Sequence, residues 1–343
     1  MKHVLNKLSD GHSLGREEMK EAVREMLQEG TTESEISCFL TLLRIKGETV
    51  DEITALVEVL REQAMPVHKR EQGVMDNCGT GGDQSQSFNI STTSAFVLAG
   101  AGVKIAKHGN RSITSRTGSA DVLESLGVAL DFDGEEVEDF LNRNHIAFLY
   151  APFVHKSLKK VMKVRREIKI PTIFNLIGPL TNPVQLDTQL VGVYRRDKLE
   201  TMAEVLRELG RKRAVVLNGA GHMDEASLAG ENHLTILEDG RISSTILKAE
   251  DVGLNSYGNE EITGGSAVEN AAILMNVLEG REGAHLDTVL FNAGIGLFAS
   301  GKAGTISEGV NLARESIRSG NALNALQSMI HYSANRRKKV IPS

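Results

Sequence analysis

The sequence predicts an α/β protein: a mostly parallel sheet covered by helices, preceded by a smaller all-helical part. Three observations carry this. Residues 1–65 show apolar residues at helical spacing only. From residue 73 onward, short apolar runs of strand type alternate with helix-like stretches, the pattern of a parallel sheet covered on both faces. Near the join, three glycines fall within four positions (Gly79, Gly81 and Gly82), between a strand-like run and a helix start. Strand, glycine-rich turn and helix N-terminus together are a common way to hold phosphate.

In the helical part, Thr32-Glu33-Ser34-Glu35 reads as a capping box, followed by Ile36, Phe39, Leu40 and Leu43 on one face; Gly47 stops that helix. Thr49-Val50-Asp51-Glu52 is a second box, followed by Ile53, Leu56, Val57 and Leu60, and Pro66 ends it. Residues 66–72 read as a linker. Gly73-Val74-Met75 closes a short strand, and Ser91 and Thr92 are good N-caps for the apolar run 95–99. Further strands are expected at 103–106, 146–150, 190–194 and 214–217, with helices at 120–126, 135–142, 158–168 and 198–209. Residues 232–263 are more strand-like and 267–335 mostly helical. The domain reading is therefore 1–66 helical and 73–343 α/β.

Composition narrows the function. With 41% hydrophobic and 24% charged residues over 343 positions, this is an ordinary globular mixture, long enough for about two domains. A net charge of −6 argues against nucleic acid as the main partner, because phosphate-backbone binding needs a basic face. Cys38 and Cys78 are the only cysteines and match no metal spacing, which fits a reducing cytoplasm. No signal peptide or membrane-spanning run is expected, so the expected location is cytoplasmic.

Four stretches could carry chemistry. The first, Asp76 to Thr92, is the glycine-rich segment; taken alone it could also be a plain tight turn, and it matches neither a Walker loop nor Gly-x-Gly-x-x-Gly spacing. The second, Lys107-His108-Gly109-Asn110-Arg111-Ser112, directly follows a predicted strand, where α/β sheets bind ligands. The third, Asp224-Glu225, offers adjacent carboxylates that suit a hard cation shared with phosphates, or simply face solvent. The fourth is Arg165-Arg166 on a basic helix, where one guanidinium could clamp a carboxylate; His155 lies just before it.

Together these segments resemble the anthranilate phosphoribosyltransferases. The resemblance runs over almost the whole chain. It includes Phe174-Asn175-Leu176-Ile177-Gly178-Pro179-Leu180-Thr181-Asn182-Pro183, Met223-Asp224-Glu225, and Gly264-Gly265-Ser266-Ala267-Val268-Glu269-Asn270-Ala271. It implies a nucleoside phosphorylase / phosphoribosyltransferase-like fold, a crossover near 170–185 back to the helical domain, and a homodimer through that domain. It implies transfer of phosphoribosyl from phosphoribosyl pyrophosphate (PRPP) to anthranilate in tryptophan biosynthesis, with magnesium. By the match, PRPP would meet Gly79, Gly82, Asp83, Ser87, Asn89, Ile90, Ser91, Thr92, Lys107, His108, Gly109, Asn110, Arg111, Ser115 and Ser119. Anthranilate would meet Gly79, Asn110 and Arg165, with His108 and His155 nearby. Magnesium would take Ser91, Asp224 and Glu225. Three departures from the family's pattern stand out: Gln84 in place of glycine, His155-Lys156 in place of His-Pro, and Gly221-His222 in place of Asp-Gly.

The inventory agrees with this chemistry. An arylamine is already nucleophilic near pH 7, and the sequence shows no Ser-His-Asp or Cys-His arrangement. Two other readings stay open from the residues: a pyrimidine nucleoside phosphorylase-like enzyme, whose lysine-containing glycine loop is not found, and a non-catalytic relative that binds nucleic acid, which the net charge disfavours.

Overall fold

The structure is a computed structural model. It describes residues 1–111 and 116–340, with side chains as far as Arg336. Four helices open the chain: α1 (Lys2–Ser9), α2 (Arg16–Met26), α3 (Glu33–Lys46) and α4 (Val50–Glu62). Both expected capping boxes form. The Glu35 N–H donates to Thr32 Oγ1 at 3.2 Å while the Glu35 carboxylate accepts the Thr32 N–H at 2.8 Å, and Thr49 and Glu52 repeat the exchange.

The rest alternates. It runs β1 (Val74–Gly79), α5 (Ile90–Gly100), β2 (Lys104–Gly109), α6 (Ser119–Ser125), α7 (Gly134–Arg143), β3 (Ile146–Tyr150), α8 (Ala151–Val154), α9 (Lys159–Ile168) and α10 (Phe174–Ile177). Then follow β4 (Thr188–Gly192), α11 (Leu199–Glu208), β5 (Arg213–Asn218), β6 (Asn232–Glu238) and β7 (Arg241–Leu247). Helices α12 (Ala267–Leu278), α13 (Ala284–Ala299), α14 (Ile306–Arg318) and α15 (Asn321–Val340) close the chain. The sheet order is β3-β2-β1-β4-β5-β6-β7. The first five strands are parallel and the β5-β6-β7 meander is antiparallel.

Alternation along the strands divides the apolar residues between two cores. Leu190, Val215 and Leu217 face a cluster built with α5, α13 and α15. Val191, Val193, Ala214 and Val216 face the opposite way, into a cluster with α11 and the four N-terminal helices. Phe174, Leu176, Ile177 and Leu180 join that second cluster. Each such buried valine, leucine, isoleucine or phenylalanine contributes about 1.5–3 kcal/mol.

Three expectations shift. Residues Asp76–Gly79 belong to β1, and Lys107–Gly109 to β2, rather than to loops. Pairing is the cause: Gly79 stands opposite Gly192, and Gly109 opposite Tyr150. Helix α5 starts at Ile90 with Asn89 at its N-cap, so Ser91 and Thr92 lie inside its first turn. No helix among the described residues is long and apolar enough to cross a membrane.

Candidate active site

The carboxyl ends of β1 and β2, the residues just after β3 and the Asp224-Glu225 loop beyond β5 line one cavity of about 1060 Å³, whose other wall is α9 and α10. Every candidate residue among the described ones lines it: Gly79, Gly82, Asp83, Ser87, Asn89, Ile90, Ser91 and Thr92 from the first segment; Lys107, His108, Gly109, Asn110, Arg111 and Ser119 from the second; then Arg165, Asp224 and Glu225. Ser115 lies outside the described residues.

The acidic wall is crowded. The Gly81 N–H donates to Asp224 Oδ2 at 2.6 Å, and the Ser91 N–H donates to Glu225 Oε1 at 3.1 Å. The Asp224 N–H points at Asp83 Oδ2 at 3.4 Å, so a third carboxylate joins the pair. Burial, and then the charges of Asp83 and Glu225, push the Asp224 carboxyl well above its ordinary range. Burial raises Glu225 to about 7, against the pull of Lys107 and the Ser91 hydroxyl. Lys107 is itself buried, its Nζ donating to the Asn77 carbonyl at 2.9 Å.

The glycines make room for this wall. A Cβ on Gly79 would sit 2.3 Å from Asp224 Oδ2, and one on Gly192 would sit 1.5 Å from the Asp224 carbonyl oxygen. Gly79 is therefore needed for the close approach of Asp224, whereas Gly81 is needed for its φ of +68°. Two of the sequence departures also stand in left-handed backbone: Gln84 at φ +59° and His222 at +62°, conformations that glycine adopts with less strain. Lys156 stacks its ammonium over Phe153 at 4.8 Å.

The opposite wall is cationic and aromatic. The Arg165 guanidinium lies 5.2 Å from the Phe174 ring centre and 3.4 Å from Asn175 Oδ1, with Met162 Sδ at 3.2 Å. It pairs with no carboxylate among the described residues, and burial alone lowers it to about 10. Arg166 is exposed. Between the walls, His108 and His155 meet edge to face, ring centres 5.5 Å apart. Burial lowers them to about 3 and about 4, so both are neutral at pH 7. His108 Nδ1 lies 3.1 Å from the Gly178 carbonyl, which assigns the ring proton to Nδ1 and leaves Nε2 an acceptor without a partner among the described residues. His155 sits close to the main chain of Thr181 and Leu60 without a well-formed hydrogen bond.

Some expected contacts are already engaged inside the protein. Arg111 is held by Asp121 and Glu124 at 2.9 and 2.8 Å. The Ser119 hydroxyl is tied to the main chain of Asn110. Other positioning residues escaped the sequence reading. Buried Asn292 on α13 accepts the Ala226 N–H at 2.8 Å and donates to the Ala226 carbonyl at 2.9 Å, gripping the residue that follows the acidic pair. Asn218 donates to the carbonyls of Val193 and Met223 and braces the same loop. The only cue to Asn292 was an amide within an apolar run.

Comparison with known proteins adds the lineage. Residues 2–64 match a glycosyl transferase family helical bundle domain, and residues 71–323 a glycosyl transferase family a/b domain. An anthranilate phosphoribosyltransferase of Bacillus thuringiensis is 55% identical over 340 residues, covering 99% of this chain and 100% of the relative. The chain belongs to the anthranilate phosphoribosyltransferase family. Family members of known structure share the fold. The Thermus thermophilus enzyme superimposes with a TM-score of 0.91 at 38% identity, covering 96% of this chain and 99% of that one. The Saccharomyces cerevisiae enzyme, solved in complex with PRPP and Mg, gives 0.89 at 27% identity, covering 97% of both chains.

No three carboxylates, imidazoles or thiols among the described residues enclose a metal by themselves. The chemistry of the donors nevertheless suits magnesium, which takes one or two protein carboxylates and completes its shell with water and substrate phosphates. Buried Asp224 and half-buried Glu225, crowded by a third carboxylate, form a pair that a cation would relieve.

Proposed function

We propose that this chain transfers the phosphoribosyl group of PRPP to the amine of anthranilate, giving N-(5-phosphoribosyl)anthranilate and pyrophosphate in tryptophan biosynthesis. The observation that carries the reading is the polarity of the cavity: crowded carboxylates beside a glycine-rich turn on one wall, an arginine without an acid on the other. The first wall suits a metal-bound polyphosphate, and the second suits an aromatic carboxylate.

The amine nitrogen attacks the ribose anomeric carbon, the bond to the pyrophosphate oxygen breaks, and the pyrophosphate leaves with the electron pair. The nitrogen then loses a proton. An arylamine is neutral near pH 7, so positioning and charge stabilisation supply most of the acceleration. Asp224, Glu225 and Ser91 would hold magnesium, which neutralises charge on the departing pyrophosphate. Lys107, the turn from Gly79 to Ser87 and the start of α5 bind the phosphates. Arg165 orients anthranilate through its carboxylate, beside Asn110, Gly79 and the two neutral histidines.

We read the chain as two domains, 1–66 and 73–343, with 170–185 crossing back to the first; the apolar residues that 174–180 share with the N-terminal helices support this. A homodimer through the helical domain is supported by Ile45, an isoleucine left 77% exposed on α3. The deciding assay mixes the protein with PRPP, magnesium and anthranilate and follows the loss of anthranilate fluorescence. No loss at any magnesium concentration rejects the reading.

A further inference from the structure

The stretch Gly264–Ala271 contributes no side chain to the cavity wall, yet it touches both phosphate-facing segments. Its first residues stitch the glycine-rich segment in place. The Phe88 N–H donates to the Ile262 carbonyl at 3.1 Å and the Gly264 N–H to the Gln86 carbonyl at 2.8 Å. The contact is close enough that a Cβ on Gly264 would lie 2.8 Å from Phe88 Cα.

Four hydrogen bonds then close into a ring. The Gly265 N–H donates to Asn270 Oδ1 at 2.7 Å. Because a main-chain N–H only donates, this fixes the Asn270 amide with its Nδ2 toward Asn89 Oδ1, 2.8 Å away. That contact in turn fixes Asn89 with its Nδ2 toward the Thr117 carbonyl, at 3.2 Å. The Thr117 hydroxyl closes the circuit on the Gly265 carbonyl at 2.7 Å. Asn270 and Thr117 are buried, so each bond replaces one that water cannot supply.

We propose that this ring is a positioning device that sets the spacing between the two segments that grip PRPP, with Asn270 as its keystone. The inference rests on the reading that the cavity holds PRPP. Asn89 leads directly into α5, and Thr117 lies two residues before Ser119, so the ring couples the start of α5 to the start of α6. Asn270 touches neither the cavity nor the substrate; it acts through Asn89.

The test is calorimetric titration with PRPP and magnesium in the absence of anthranilate. Native protein that fails to bind PRPP rejects the functional reading, and this inference with it. Given native binding, Asn270→Ala and Thr117→Val are each expected to weaken PRPP roughly five- to tenfold, the scale of one lost hydrogen bond. The KM for anthranilate stays near native, and both variants still melt cooperatively. If the ring acts as a unit, the double variant loses no more than the worse single variant. Affinities within twofold of native in both folded variants, or losses that multiply in the double variant, overturn the proposal. Should Asn270→Ala fail to fold, Asn270→Asp, outside the cavity, keeps the acceptor for the Gly265 N–H, loses the donor to Asn89 Oδ1, and decides by the same affinity criterion.

Discussion

The two walls of the cavity are unbalanced in opposite senses. On one, half-buried Asp83 and Glu225 crowd buried Asp224, and the carboxyl groups of Asp224 and Glu225 are pushed upward. On the other, Arg165 is half-buried with an aromatic ring and an amide for company, and is pushed downward. A salt bridge elsewhere in the molecule, such as Arg16 with Glu58 at 2.5 Å, satisfies both of its partners. The cavity walls leave that work to ligands, and stability is given up where binding needs it.

The largest effect is expected at the acidic wall. Asp224→Asn and Glu225→Gln should each remove nearly all turnover while leaving the fold intact, since either change halves the carboxylate pair available to a cation. Activity measured across a magnesium titration checks this. Near-native rates at low magnesium in both variants would break the assignment.

Next comes the cationic wall. A charge-assisted hydrogen bond is worth about 1.5–3 kcal/mol, so Arg165→Ala should raise the KM for anthranilate roughly 10- to 150-fold. The KM for PRPP should barely move, and exposed Arg166→Ala should do much less. Steady-state kinetics with each substrate varied in turn reads the contrast. A larger anthranilate effect from Arg166→Ala reverses the roles.

A smaller effect sharpens the first wall. Asn292→Leu removes the grip on Ala226 without touching a carboxylate. It should shift half-saturation by magnesium, measured with Mn²⁺ as a spectroscopic stand-in, by about three- to tenfold, the size of one or two neutral hydrogen bonds. Unchanged metal affinity in a folded variant would mean that Asn292 serves packing alone.

The smallest effect is a pH trend in the ligand-free protein. Folding raises Glu225 from the ordinary 4.5 to about 7, so the folded state holds a proton that the unfolded chain releases. That contribution to stability is complete below the unfolded value and is lost as pH rises to about 7. Relative to Glu225→Gln, native protein should therefore melt at a lower temperature at pH 8 than at pH 5. Saturating magnesium with PRPP should cancel the trend, because the cation takes the proton's place. Parallel melting curves for the two proteins across this range would show that Glu225 keeps an ordinary acidity.

Much of the fold was legible in the residues because its signals are local. Thr32 with Glu35 and Thr49 with Glu52 begin helices by contacts within one turn. The apolar runs of β3 and β5 declare buried strands on their own. Strand ends were read less well, since the ladder partners Gly192 and Tyr150 decide where β1 and β2 stop. The candidate site residues came from a motif resemblance, and the cavity gathers the described ones; that Gly79 also leaves room for Asp224, 145 positions along the chain, was not legible.

By itself, then, the sequence determined periodicity, caps, turns and the chemical types carried by each segment, because these depend on neighbours a few residues apart. The tertiary structure alone decided which charges go unpaired, which histidine nitrogen carries the proton, and which distant asparagines hold the loops. Asn292 lies 66 positions from Ala226, and Asn270 lies 181 from Asn89. Burial and charge pairing are properties of what surrounds a group in space, and chain order does not record those surroundings.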